Sequence, residues 1–152
     1  MRLAALISML AVLLLAPLVT NAAPGDALAI PAAAQMQPAE LAAILKSGNA
    51  PTILQVGFNV QYQQAHIPDA KYAGPGNSDN GLVTLKSHVD ALPREKLVVL
   101  YCGCCPWERC PNVAAAYKQM IAMGFTNVKV LYLASNFGAD WVDKGYPVTR
   151  GG

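Results

Sequence analysis

The run Leu97-Val98-Val99-Leu100-Tyr101 carries no charged or amide residue on either of its alternating faces. A strand that is apolar on both faces is buried on both, as a central strand of a parallel sheet covered by helices is. The loop Cys102-Gly103-Cys104-Cys105-Pro106-Trp107-Glu108-Arg109-Cys110 follows directly. A helix is predicted next, from Pro111 to a glycine stop at Gly124, with proline in the first turn and successive alanines behind it. Strand, loop and helix in this order restrict the chain to the α/β class.

The remaining segments fit that class. Met36 to Asn49 reads as a short amphipathic helix, with Pro38 at its first position, Glu40 in the first turn and Leu41, Ile44 and Leu45 at helical spacing. Pro51 to Gly57 reads as a brief buried strand. Phe58 to Gly74 shows no clear period, and Gly74 to Gly81 reads as a surface loop. Leu82, Val83, Leu85, Val89 and Leu92 fit a helix that stops before Pro93. Thr126 to Leu133 reads as another strand, and Ser135 to Gly145 as a short helix capped by Ser135 or Asn136. Strands alternating with helices predict one domain built on a mostly parallel sheet.

The amino end has a different character. Residues 1–23 hold one basic residue, an apolar stretch from Leu3 to Val19 and a small-residue ending, which is the pattern of a secretory signal peptide. Residues 24–35, rich in alanine, proline and glycine, read as a linker, and residues 36–152 as the folded domain. The prediction is a secreted, periplasmic protein with no membrane association once the signal is removed. Of 11 Lys and Arg, cleavage removes Arg2, leaving ten cations against nine Asp and Glu. With no run of like charge, no nucleic-acid partner is expected.

All four cysteines of the chain, Cys102, Cys104, Cys105 and Cys110, fall in the one loop. In parallel sheets ligands bind outside the carboxyl ends of the strands, and this loop leaves the carboxyl end of the best strand. A strand-to-helix turn there directs backbone N–H groups and the positive end of the helix at an anion, so a thiolate is favoured. Three uses follow. One thiol can be a nucleophile; Cys102 has the fixed strand-end position, and Cys104 is the alternative. Redox use would pair Cys102 with Cys104, or close a small disulfide between Cys105 and Cys110, in an oxidising compartment that lets disulfides persist. A thiolate cage of Cys102, Cys104, Cys105 and Cys110 would suit Cu(I) or Zn(II). Zinc sites usually draw two Cys-x-x-Cys knuckles from separate turns, so the cage ranks below the thiol chemistry and no cofactor is expected.

Several further features make the chain resemble the rhodanese-like family of sulfurtransferases over nearly all of residues 36–152. His66-Ile67-Pro68-Asp69-Ala70 is similar to the family's Gly-His-Ile-Pro-Gly-Ala motif. Leu97 to Cys102 resembles the strand that ends in the active-site cysteine, and Ala114 to Tyr132 the helix and strand after it. Phe137 to Val148, with Trp141 and a Gly-x-Pro-Val end, resembles the closing helix. The chain departs from the family at Gln55-Val56-Gly57, where Asp-x-Arg is common, and in a longer loop with four thiols.

The resemblance implies a three-layer fold and a persulfide carried on Cys102, or on Cys104, between a small sulfur donor and a thiophilic acceptor. In such a site the loop's own residues Arg109, Trp107 and Gly103 would shape the donor site, and the extra thiols Cys104, Cys105 and Cys110 are read from the loop as redox partners. A non-catalytic domain that binds metal or a protein partner is the competing class. His66 reads as a structural histidine, Trp141 and Tyr146 as packing aromatics, and Met120 and Met123 as a helix face against the sheet.

Overall fold

The computed structural model describes residues 30–151. The predicted signal segment and the first part of the linker lie outside the described residues. Five parallel strands form one sheet in the order β1-β5-β4-β2-β3: β1 Gln35–Met36, β2 Thr52–Gln55, β3 Lys71–Tyr72, β4 Val98–Tyr101 and β5 Val128–Leu131. Four helices connect them: α1 Pro38–Lys46, α2 Asn59–Gln64, α3 Asp79–Val89 and α4 Pro111–Ala122. The mixed α/β class and the central parallel sheet flanked by helices are thereby established.

Side-chain alternation along β4 builds two cores. Val98 and Leu100 point to one face, where Leu85 and Val89 of α3 and Val113, Ala116 and Met120 of α4 cover them. Val99 and Tyr101 point to the other, with Leu41 of α1, Ile67, Phe137 and Trp141. Continuing that alternation one residue past the strand places Cys102 on the α3/α4 face.

Four segments differ from the expectation of sequence. Within the predicted linker, Ala32–Ala34 form a 3-10 turn with Ala34 buried, and β1 begins at Gln35 by pairing with Val130. The stretch without a period contains α2 and β3. α2 has no buried residue and so no apolar stripe, and β3 is too short to show alternation. The Gly74 to Gly81 segment is at the surface at Asn77, Asp79 and Asn80, but its glycines Gly74, Gly76 and Gly81 are buried and it is pinned inward: Gly76 N–H donates to Val56 O, and Asn77 N–H to Asn112 Oδ1. α3 starts at Asp79, ahead of its apolar residues, because Ser78 Oγ accepts the Gly81 N–H as an N-cap.

The closing helix is a single π-type turn, Gly138–Val142. Ahead of it Asn136 Oδ1 accepts the Ala139 N–H, while Asp140 Oδ2 accepts the N–H groups of Ser135 and Asn136. Among the described residues no helix is long and apolar enough to cross a membrane.

Candidate functional site

The β4 strand ends at Tyr101, and the chain turns through Gly103 at φ +84°, a backbone conformation that a Cβ resists. Space forbids a side chain there as well: a Cβ on Gly103 would lie 2.5 Å from Phe137 Cβ, and Gly103 O accepts the Phe137 N–H. This turn carries Cys104 to the sulfur of Cys102, with Sγ–Sγ 3.1 Å, and Cys105 follows at 3.2 Å from Cys104. Cys110 returns to the cluster as the N-cap of α4. The Sγ atoms of Cys102, Cys104 and Cys110 lie within 4.8 Å of one another. All four cysteines are free thiols.

The wall behind Cys102 is built from residues that motif reading passed over. Asn112, 2% exposed, donates from Nδ2 to Cys102 Sγ at 3.4 Å and to Cys104 Sγ at 3.9 Å. Its Oδ1 is fixed by the Asn77 N–H, so the amide cannot turn its oxygen toward the sulfurs. Gln55, 1% exposed, donates from Nε2 to Cys102 O and accepts the Gly57 N–H. A neutral amide therefore ties β2 to β4 where the family often has an Asp-x-Arg pair. A Cβ on Gly57 would stand 2.8 Å from Cys102 Sγ, so glycine leaves room for the sulfur. The signal for Asn112 was its place: a polar residue in the first turn of the helix that follows the thiol loop.

Electrostatics divide the cluster. Cys110 is held down at about 5, first by the proton that Cys102 offers it, against the cost of burial, with help from the Val113 and Asn112 N–H groups. Those amides form no capping bond of ordinary geometry, so their effect is that of the positive helix end. Cys102 is pushed far up by the same shared proton and then by burial. Burial, followed by contact with Cys104 and Cys110, pushes Cys105 up to about 12. The Cys102 and Cys110 thiols thus titrate as a unit that holds one proton and one negative charge through neutral pH. The reduced protein is expected to gain one equivalent of ultraviolet thiolate absorbance near pH 5, well below the ordinary thiol range. In Cys110→Ser that step should move above pH 7; a step that stays near pH 5 would place the charge elsewhere.

A cleft of about 570 Å³ opens on the cluster, lined in part by Gly103, Cys104, Phe137, Gln61 and Arg150. Cys104 stands on its wall, whereas Cys102 is 3% exposed behind it. Arg150 Nη1 donates to Gln64 O, which holds the guanidinium at the rim. Gln61 Oε1 is buried without a hydrogen-bond partner. A groove of about 700 Å³ along α1 is larger but holds no thiol. Of the residues expected to shape the donor site, Gly103 does line the cleft. Trp107 and Arg109 lie on a 3-10 turn outside it, Trp107 against the Tyr132 ring with centroids 5.1 Å apart, and Arg109 exposed. His66 is structural: its backbone pairs with Thr149, its Nδ1 meets Tyr62 O at 2.8 Å and its ring stacks on Tyr62.

The family model described as Rhodanese-like domain matches residues 37–133. The chain belongs to the rhodanese-like family. Among solved structures, this rhodanese-like domain is similar to the BH2092 protein of Bacillus halodurans, at 25% identity over 76% of each chain with a TM-score of 0.59. The rhodanese-like domain of the Alr3790 protein from Anabaena superposes with a TM-score of 0.56 at 20% identity, over 77% of this chain and 79% of that one. A thiosulfate sulfurtransferase from Pseudomonas aeruginosa matches 78% of this chain with 20% of its own, at 21% identity and a TM-score of 0.57. No curated protein matches. Phe137 and Arg150, which line the cleft, lie beyond the matched segment.

Proposed function

We propose that this rhodanese-like domain is a sulfurtransferase that carries sulfane sulfur as a persulfide in the loop cluster, with Cys104 taking the sulfur from the donor. The observation that supports this reading best is Cys104 on the cleft wall, its sulfur 3.1 Å from that of Cys102. Strand position favours Cys102; its burial puts Cys104 first in the path of a donor. The charge held between Cys102 and Cys110 serves as the base: it takes the proton of Cys104, whose sulfur lies within 4.8 Å of both, so that Cys104 attacks as the thiolate.

In the first half-reaction the Cys104 thiolate attacks the outer sulfur of thiosulfate. The sulfur–sulfur bond of the donor breaks, sulfite leaves with the electron pair, and Cys104 becomes a persulfide. An acceptor thiolate then attacks the terminal sulfur, which restores the Cys104 thiolate. Arg150 at the rim is suited to the anionic donor. Export of the chain, proposed from residues 1–23, would place the reaction outside the cytoplasm.

Incubating the reduced protein with thiosulfate is expected to add about 32 mass units to the peptide that holds Cys104, the gain of one sulfur atom. Arg150→Ala should raise KM for thiosulfate about tenfold, the loss of one charge-assisted contact, with kcat nearly unchanged. An unaltered mass would overturn the persulfide, and a KM indifferent to Arg150 would overturn the donor site.

A further inference from the structure

We infer that Cys102, Cys104 and Cys110 form a three-sulfur site for a soft monovalent metal ion, Cu(I), with Cys105 left outside it. The inference does not rest on sulfur transfer. The three sulfurs come from differently anchored positions: the end of β4, the turn after Gly103, and the N-cap of α4. They converge to within 4.8 Å of one another, with the Cys102–Cys104 pair at 3.1 Å. A trigonal site with metal–sulfur bonds of about 2.3 Å spaces its sulfurs about 4 Å apart, so the cluster reaches it by shifts of about 1 Å or less.

The surroundings select the ion. Both histidines are engaged elsewhere, His66 with Tyr62 and Thr149 and His88 with Tyr72 O, so the site offers sulfur alone. Ligands that are all thiolate favour Cu(I) over harder divalent ions, and a structural zinc site would ask for a fourth donor. Cys105 is the candidate fourth, but its sulfur turns to Cys104 and Arg109 O on the outer side and is not part of the converging set. Three thiolates around one Cu(I) leave two negative charges in a buried place. The Asn112 amide donates to two of the sulfurs, and the first turn of α4 faces the third. Binding displaces the thiol protons and leaves the oxidation state of copper unchanged.

The test is anaerobic titration of the full reduced chain with Cu(I) in competition with a chromogenic Cu(I) chelator, together with X-ray absorption at the copper edge. One Cu(I) per chain with three sulfur neighbours is expected. Cys102→Ser, Cys104→Ser and Cys110→Ser should each weaken binding at least 100-fold, and Cys105→Ser less than threefold. Circular dichroism separates loss of a ligand from loss of the fold. In the unaltered protein, two or four sulfur neighbours, or no competition with the chelator, would overturn the site. So would equal dependence on Cys105 and Cys110.

Discussion

Cys104→Ser is expected to lower thiosulfate-dependent sulfur transfer at least 1,000-fold while leaving the fold intact. The size follows from the chemistry: a serine hydroxyl stays protonated at neutral pH and forms no persulfide, so the covalent route is removed as a whole. The fold should persist because Cys104 is only half-buried and packs at the edge of the α3/α4 core, not within it, where serine is a close match in size. Cys102→Ser is the informative companion. If Cys104 is the entry point, a hydroxyl at position 102 keeps a hydrogen-bonding neighbour for it and activity should fall by about 10- to 100-fold, less than for loss of the nucleophile itself. The opposite ranking, with Cys102→Ser the more damaging, would return the nucleophile to the strand end. Single-turnover transfer of labelled outer sulfur to a thiol acceptor measures both variants without interference from product release.

How much of this was legible in sequence depends on how local the cause is. β4 and α4 could be read because their apolar run, Pro111 and the glycine stop act within a few residues. The facing of Cys102 follows by alternation from Val98 and Leu100 alone. β1 and β3 could not be read, since two residues show no period and only pairing to Val130 and Leu54 makes them strands. The site divides in the same way. That the thiol loop lies at the carboxyl end of the central strand was local information. Which thiol faces the cleft was not, because it depends on Gly103 fitting against Phe137. Arg109 seemed the donor-binding cation because it is near the cysteines in sequence; Arg150, 46 positions from Cys104, is on the cleft through the antiparallel bridge of Thr149 to His66. The departure at Gln55 was visible as a missing ion pair, yet its replacement by an amide bonded to Cys102 O required both strands to be in register.

Trp141→Ala is expected to destabilise the domain by about 3–5 kcal/mol, the usual cost of deleting a buried large aromatic side chain. Trp141 is fully buried in the core beneath the sheet, with the Phe137 ring on one side and the Tyr146 ring on the other, centroids at 6.1 and 5.0 Å. Its Nε1–H donates to Pro147 O, which ties the closing π-type turn to the tail that carries Arg150. Trp141→Phe separates the two contributions. It keeps most of the apolar area, so a loss of about 1–2 kcal/mol is expected from the missing hydrogen bond and the smaller ring. Urea unfolding followed by far-ultraviolet circular dichroism reads both variants; a loss under about 1 kcal/mol for Trp141→Ala would show that the C-terminal turn contributes little to the core. The consequence reaches the site through Phe137, which packs on Trp141 and also fills the space beside Gly103. A domain that loses the tryptophan should therefore hold Cys104 less firmly on the cleft wall, and its KM for thiosulfate should rise at denaturant concentrations where the circular dichroism is still native.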